Sequence, residues 1–293
     1  MNAINPGRDV TGQCLNRLGP QIQDVWIGLN HMSNCNSALR ALVSGNGKNL
    51  LHLGLIVSNY QTTDWSLITD NMKQLKSLKL TFGSFKGSSL KEFSKLKNLE
   101  FLVLAEDSRN DSESVLNDDS ILPVLRGCSQ LKSLAIAGTK PNTCRFTNRT
   151  IGQIPRLCRN MEQIRFLNAN NIDDYCLSQL ATIPSLLVLH LSSMNSITDR
   201  GVIDFAKESK KVRNFRVSDC PNVTQNIIDV WIEVANNRPE ERIKLFLEGM
   251  AITRSLDDIP SNLRIEVKDK PESETSPKPN TLMNQNSTNS SNV

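Results

Sequence analysis

The sequence predicts an α/β fold: a right-handed superhelix of β-α units, with a parallel sheet on the concave side and helices outside. Three observations predict it. A short apolar pattern recurs along the 293 residues, its interval is nearly constant, and a helical pattern follows its copies. One unit of this size cannot bury a core, whereas stacked units bury a continuous one. We therefore expect a single solenoid.

The recurring pattern is apolar-x-x-apolar-x-apolar. Its successive first positions are 28, 25, 24, 32, 30, 25 and 26 residues apart. The eight copies begin at Ile22, Leu50, Leu75, Leu99, Leu131, Met161, Leu186 and Val212. Because side chains alternate across a strand, the last two apolar residues of each copy share one face. Each copy is a predicted strand, with a looser copy around Leu245 and a closing strand at 263–267.

Residues after the strands carry apolar side chains at helical spacing. Val202, Phe205 and Ala206 fall at i, i+3 and i+4, and residues 88–96 and 226–235 repeat this spacing. In the phrase SITDRGV (196–202), the Thr198 hydroxyl is expected to cap the helix N–H groups. Gly201 is expected to leave room where the helix meets the sheet. Each unit therefore reads strand, turn, helix.

The repeats resemble the cysteine-containing leucine-rich repeats of F-box/LRR proteins and relatives with the ribonuclease-inhibitor-like fold. That repeat reads C-x-x-L-x-x-L-x-L-x-x-C-x-x-I-T-D-x-G-L. Cys128 and Cys158 match the first cysteine, Cys220 matches the second, and residues 197–202 match the closing phrase. The resemblance covers about residues 14–267 and implies a leucine-rich-repeat solenoid of about nine repeats.

Three segments follow from this pattern. Residues 1–13 are predicted to be an N-terminal extension, 14–269 the solenoid, and 270–293 a disordered tail with almost no apolar residues. An F-box opens with Leu-Pro-x-Glu and has a Trp near its end. Residues 1–21 contain neither feature.

Composition excludes several classes of protein. The net charge of +4 gives no support to nucleic-acid binding, and no apolar run reaches the eighteen or so residues of a membrane span. Seven cysteines at unequal intervals form no disulfide framework. We expect a soluble, monomeric, cytoplasmic protein, with the nucleus as a second compartment.

No motif indicates catalysis. None of the three histidines stands at ligand spacing from a second metal-binding residue, and the glycines of residues 44–50 lack the spacing of a phosphate loop. The repeat cysteines are expected to be buried, inert thiols. The chain is expected to be no enzyme and to need no cofactor or metal.

The residues that alternate out of the strands are the predicted protein-binding residues, because solenoids bind through the concave sheet. They are Trp26, Lys79, Phe101, Arg165, His190, Arg213 and Arg216. A basic column of Arg165, His190 and Arg216, with Arg213 beside it, lies toward the C-terminus, and two aromatics expected to be exposed lie toward the N-terminus. Arginine and aromatics are enriched at interface hot spots. The alternatives are that the charges only solvate an open face and that the aromatics pack under a cap.

Two repeats are longer than the others. The insert at 106–119 is mainly acidic and the insert at 139–150 is mainly basic. As consecutive repeats, they are expected on the same edge of the solenoid, where insertions commonly bind partners. They are expected either to dock on each other or to contact a partner.

The resemblance implies a protein-binding module. The first hypothesis is the substrate-recognition component of an SCF-type (cullin-RING) E3 ubiquitin ligase, acting in ubiquitin-dependent protein degradation. Its partners would be a degradation substrate on the concave face and ligase subunits. The alternative, which the missing F-box features favour, is a stand-alone adaptor, inhibitor or assembly factor. Charge reversal at Arg165 and Arg216 together is expected to abolish partner capture and leave thermal unfolding nearly unchanged.

Overall fold

The computed structural model describes residues 3–4, 13–29, 35–57, 63–83, 87–106, 114, 116–140 and 143–268. The predicted tail and most of the predicted N-terminal extension lie outside the described residues. So do residues 107–113 and 115 of the acidic insert and residues 141–142 of the basic insert.

The described strands form one parallel sheet of eleven strands, which pair in the order of the sequence. This arrangement confirms the predicted α/β leucine-rich-repeat solenoid. The strands are β1 Ala3–Ile4, β2 Asp24–Gly28, β3 His52–Val57, β4 Ser77–Phe82, β5 Phe101–Glu106, β6 Ser133–Gly138, β7 Gln163–Leu167, β8 Val188–Ser192, β9 Asn214–Ser218, β10 Ile243–Glu248 and β11 Leu263–Lys268.

Helices connect most of the strands. They are α1 Cys35–Gly45, α2 Ser66–Asn71, α3 Asp118–Gly127, α4 Asn148–Ile151, α5 Ile154–Leu157, α6 Asp174–Ala181, α7 Asp199–Glu208 and α8 Ile227–Asn236. The helix predicted over 88–96 is instead a 3₁₀ helix, Gly87–Lys95. It lies in the shortest repeat, and a 3₁₀ helix rises about 2.0 Å per residue against 1.5 Å for an α-helix. It therefore spans the same height with fewer residues.

One apolar core runs the length of the solenoid. It begins at Leu15, ends at Leu263 and combines one face of the sheet with the inner faces of the helices. In the C-terminal half, the Phe215 ring lies 5.7 Å from Phe205 and 5.0 Å from Trp231, centroid to centroid. The opposite face of the sheet is therefore left to the alternate strand positions.

Each of the strands β7 to β10 is followed by a residue in the left-handed backbone region. Asn168, Ser193 and Asp219 have φ values of 59°, 53° and 51°, and Gly249 has 76°. This conformation turns the chain out of the sheet. The residues after the first three turns, Ala169, Met194 and Cys220, are buried in the core. The second cysteine position of the repeat is therefore a packing position.

The first cysteine position joins consecutive units. The Cys128 thiol donates to the Phe93 carbonyl at 3.3 Å, and the Cys158 thiol donates to the Leu125 carbonyl at 3.7 Å. Burial raises the pKa of both thiols to about 12, and that of the Cys220 thiol to about 11. The prediction that the repeat cysteines are buried is confirmed, and at neutral pH they carry no thiolate charge.

The expected capping bond of Thr198 is not formed. Thr198 does stand at the N-cap of α7, but its hydroxyl donates to Asp174 Oδ2 of the preceding repeat at 2.6 Å. Its backbone N–H donates to Asp174 Oδ1 at 2.8 Å. A carboxylate is a stronger acceptor than a neutral group. The prediction was wrong because the partner of Thr198 lies 24 residues away in sequence, not in its own helix.

The same contact recurs between other helix starts. Asp118 accepts from the N–H and hydroxyl of Thr147 at 2.8 and 2.7 Å, and Asp199 accepts from Thr224 at 2.6 Å in both bonds. A Cβ on Gly201 would lie 2.1 Å from Asp174 Oδ1. The role of Gly201 is thus to admit the aspartate of the preceding repeat, which corrects the expected role at the sheet. We call these contacts the Thr–Asp ladder.

The described parts of the two inserts contact each other. The Arg145 N–H donates to the Leu116 carbonyl at 2.7 Å, and the Thr150 hydroxyl donates to Asp118 Oδ1 at 2.6 Å. Arg149 Nη1 lies 3.6 Å from Asp119 Oδ1, with both side chains largely exposed. An exposed ion pair contributes little stability, so the backbone and threonine bonds hold the segments together.

Candidate binding surface on the concave face

The strand register arranges the outward-facing residues in straight rows. The first row reads Trp26, Gly54, Lys79, Val103, Ala135, Arg165, His190, Arg216, Phe246 and Glu266. The second row reads Asp24, His52, Ser77, Phe101, Ser133, Gln163, Val188, Asn214, Lys244 and Arg264. Neighbours in a row are about 4.8 Å apart. These rows contain every predicted binding residue except Arg213, which is exposed and precedes β9.

A cavity of about 130 Å³ opens at the N-terminal end of the rows. Gly54, which contributes no side chain to the first row, is one of its lining residues. The Trp26 ring lies across the gap, and a Cβ on Gly54 would be 2.5 Å from Trp26 Cε3. The Lys79 ammonium lies 5.5 Å from the ring centroid, within cation–π range. The cavity is lined by Asp24, Val25, Trp26, His52, Leu53, Gly54, Ser77 and Lys79.

The charged groups of this cavity differ between its two sides. On the β2 side, Asp24 Oδ1 lies 4.0 Å from His52 Nε2, and about two thirds of the Asp24 side chain is exposed. On the β4 side, partial burial and the Arg165 guanidinium lower the pKa of Lys79. An anion beside Lys79 would offset both the burial and the repulsion from Arg165, because it would stabilise the charged ammonium group. The β4 side of the cavity therefore favours a negative ligand group.

Asp24, His52 and Ser77 stand side by side in the second row and are the three residue types of a nucleophilic triad. A working triad joins its members by hydrogen bonds of about 2.6–3.2 Å. Here the aspartate–histidine distance is 4.0 Å, and within the described part of the chain no hydrogen bond links His52 to Ser77. The geometry is that of an exposed aspartate–histidine contact beside a buried serine.

The two predicted aromatic contacts differ in exposure. Phe101 is 37% exposed, which confirms the expected exposed aromatic on β5. The expectation that Trp26 is exposed was wrong, because its ring lies down over Gly54 and is half-buried. Phe101 is the register neighbour of Ser77. The accessible aromatic surface therefore borders the cavity.

The predicted basic column is more enclosed. Arg165 is only 9% exposed. Arg216 Nη2 lies 3.5 Å from Glu248 Oε2, and the Arg216 guanidinium lies 5.4 Å from the Phe246 ring centroid. The structure does bring Arg165, His190 and Arg216 side by side, but it also supplies Arg216 with internal partners.

His190 contributes no charge to this column at neutral pH. Burial lowers its pKa to about 3, with further lowering from the Arg165 and Arg216 guanidinium groups. These effects outweigh a 3.3 Å contact between Nε2 and Asn214 Oδ1, which raises the pKa. The burial of Arg165 also removes the basis for expecting that charge reversal there leaves unfolding unchanged, because a reversed charge would be buried.

The middle of the concave face has one sign of charge. The outward positions of β3 to β9, including the third row from Ile56 to Ser218, carry Lys79, Arg165 and Arg216 and no acidic residue. Acidic residues stand at the ends, Asp24 on β2 and Glu248 on β10. A surface lined by one sign of charge attracts ligands of the opposite sign.

Within the described ranges, no group of three or more His, Cys, Asp or Glu side chains is placed to hold a metal ion. None of the helices in those ranges is long and apolar enough to cross a membrane.

Matches of this chain to known proteins were found among solved structures. No protein-family model and no curated protein matches it. Among solved structures, it is similar to the Rad7–Elc1 complex of yeast, with TM-score 0.46, 13% identity, and 87% of this chain and 76% of that chain covered. It is also similar to an internalin (InlF) of Listeria monocytogenes, with TM-score 0.43, 17% identity and coverage of 85% and 72%. The TLR13–ssRNA13 complex gives TM-score 0.31, 14% identity and coverage of 84% and 43%. The fold assignment rests on the strand order and register described above.

Proposed function

We propose that this chain is a protein-binding module that holds an acidic segment of its partner against the concave face and carries out no chemical step itself. The observation that carries the proposal is the single sign of charge on the outward positions of β3 to β9. Extended concave sheets are the surfaces through which solenoids bind. An acidic segment lying across the strands would meet Lys79 first and then Arg165 and Arg216.

The cationic residues contribute unequally to this binding. Lys79 is partly exposed and its pKa is lowered. Of the three cations, its ammonium group is therefore the one that an incoming carboxylate would stabilise most. Arg216 already faces Glu248 at 3.5 Å. Arg165 acts from a buried position, through its field. Charge on a concave surface mainly accelerates association, and the attraction that it exerts on a ligand becomes weaker as the salt concentration rises.

Within this role, we propose that the bound protein is a degradation substrate and that the chain is the recognition component of a cullin-RING ubiquitin ligase. The support is the resemblance of its repeats to those of F-box/LRR proteins. The second candidate is a stand-alone adaptor, inhibitor or assembly factor, which would bind its partner through the same concave face.

Affinity capture with the full chain tests both levels of the proposal. The bait is compared with Lys79→Gln and with Lys207→Gln, a matched change at an exposed lysine on α7, outside the concave face. We expect the specific partner to be lost in Lys79→Gln and at 0.5 M salt (roughly a 4 Å screening length) and kept in Lys207→Gln. Capture insensitive to Lys79→Gln overturns the concave-face proposal.

The same captures separate the two finer hypotheses. Cullin and the adaptor that binds F-boxes are scored in every eluate. Their presence with the Lys79-dependent partner supports the ligase hypothesis, and a Lys79-dependent partner without them supports the stand-alone adaptor.

A further inference from the structure

The cavity beside Gly54 has the size of one side chain. Its volume is about 130 Å³, and a protein cavity of about 150 Å³ is sufficient to bind benzene. Trp26 and Gly54 both line it, with the Trp26 ring lying over Gly54, and much of the lining is apolar. An aromatic side chain suits such a site, because two aromatic rings packed against each other gain free energy beyond that of the area they bury.

The charges around the cavity give it a direction. Asp24 lies on its β2 side, and Lys79 lies on its β4 side. Beyond Lys79, the first row continues through Val103 and Ala135 to Arg165 on β7. An acidic group next to the cavity is therefore repelled on the β2 side and attracted on the β4 side.

We propose that this cavity is an anchor pocket for one aromatic side chain of the partner, and that the acidic residues of the same segment lie on its β4-to-β7 side. The proposal rests on the proposed function and adds what that function does not specify, namely an aromatic residue and an ordered arrangement of aromatic and acidic residues. A segment with the acidic residues on the β2 side is excluded by Asp24.

The spacing of the strands sets the spacing of the ligand. Adjacent strands are about 4.8 Å apart, and an extended chain advances about 3.3 Å per residue. Lys79 is one strand from Gly54, and Arg165 is four strands from it. A ligand that crosses the strands would therefore place acidic residues about one to two and about six residues from its aromatic anchor.

A displayed library of random twelve-residue peptides, selected on the immobilised full chain, tests the pocket. We expect enriched peptides to carry one aromatic residue with acidic residues on one side of it, about one to two and about six positions away. The expected peptides can run in either chain direction, and both orders are scored. Enrichment of acidic peptides without an aromatic residue overturns the anchor pocket alone. Aromatic peptides without acidic residues, or no enrichment, overturn the proposed function as well.

A double-mutant cycle with one selected peptide locates the aromatic contact. Replacing the peptide's aromatic residue by alanine is expected to weaken binding to the wild-type chain at least tenfold. The same peptide change is expected to have under threefold effect on binding to Trp26→Ala, because the wall is already gone. Equal effects on both proteins overturn the pocket. On each protein only the peptide differs between the two measurements. The comparison therefore holds even if Trp26→Ala lowers the stability of the protein.

Gly54→Ala gives an independent test from the protein side. The new Cβ would lie 2.5 Å from the Trp26 ring and displace it. We expect at least tenfold weaker binding of the aromatic peptide, with unchanged binding of its alanine version. Lys207→Gln serves as the control and should bind both peptides as the wild type does. Unchanged affinity of a folded Gly54→Ala for the aromatic peptide contradicts the proposal.

Discussion

The two ends of the concave face contain the same local arrangement, a cation over an aromatic ring. Lys79 lies 5.5 Å from the Trp26 centroid near the N-terminus, and Arg216 lies 5.4 Å from the Phe246 centroid near the C-terminus. Their neighbours differ. A cavity lined by Trp26, Gly54 and Lys79 opens at the N-terminal end, whereas Glu248 lies beside Arg216 and pairs with it at the C-terminal end.

This difference separates a surface that is available for binding from one that is internally satisfied. A cation that already faces a carboxylate gains little from a second one, and a row without a gap offers no place for an incoming side chain. Residue type alone therefore does not identify a binding residue on this face. The side chain next to it in the strand register decides whether the residue is available to a ligand.

The largest expected effect is on stability, where the basic column and the cavity are expected to differ. Arg165→Glu should lower the free energy of unfolding by about 3–5 kcal/mol, because it places an acidic group where a buried cation was. Lys79→Glu should cost less than about 1 kcal/mol, the value of an exposed cation–π contact. Urea unfolding of both variants measures the difference. Similar losses would show that the basic column is as open as the pocket.

The pH dependence of His190 gives the second effect. Its folded pKa of about 3 lies below the ordinary 6.5, so the unfolded chain binds more protons between these values. The stability linked to His190 is complete above pH 6.5 and is lost as the pH falls toward 3. We expect this loss to be on the order of 2 kcal/mol, less than the full shift implies because the ring is partly exposed.

His190→Gln tests this expectation, since glutamine does not titrate. Unfolding free energies measured from pH 7 to pH 3 should fall less steeply in the variant. An identical slope would show that His190 is solvated like an ordinary surface histidine and that the column is open to water.

The Thr–Asp ladder should affect stability and leave binding unchanged, because it lies at the helix starts. Thr198→Ala should cost about 1–2 kcal/mol through the lost bond to the Asp174 carboxylate. In a double-mutant cycle with Asp174→Asn, the coupling energy should account for most of that loss. If Thr198→Ala lowers the free energy of unfolding by the same amount in the Asp174→Asn background, Thr198 acts as a helix cap and not through Asp174.

The ladder also predicts a pH effect of definite sign. Burial raises the pKa of Asp118, but the hydrogen bonds from the Thr147 N–H and from the Thr150 and Thr147 hydroxyls together lower it by more. The net shift of the pKa is therefore downward. This contribution to stability is present above the ordinary pKa of about 4 and is lost as the pH falls below it. Asp118→Asn should reduce the acid sensitivity of unfolding below pH 4, and an unchanged acid limb would contradict the assignment.

The sequence predicts the strands well because their signal is local. Each strand alternates buried and outward residues, and the register followed from the repeat itself, so the first and second rows could be listed from the sequence. The 3₁₀ helix at Gly87–Lys95 was missed because helical spacing does not distinguish three from 3.6 residues per turn over nine residues.

The candidate site was predicted less well because it depends on neighbours in space. Trp26 and Lys79 were identified by type, but the importance of Gly54 required knowing that the indole ring lies down across it. The burial of Arg165 depends on tertiary packing. The ladder did leave a signal in the sequence: Asp118 precedes Thr147 by 29 residues, Asp174 precedes Thr198 by 24 and Asp199 precedes Thr224 by 25, close to the repeat length.

The most direct test of the central claim compares matched charge removals at the two ends. A selected acidic peptide is titrated against Lys79→Gln and Arg216→Gln by isothermal calorimetry at low salt. We predict at least tenfold weaker binding for Lys79→Gln and less than threefold for Arg216→Gln, because Glu248 already pairs with Arg216. Equal losses, or a larger loss for Arg216→Gln, would contradict the claim that the N-terminal pocket is the binding site.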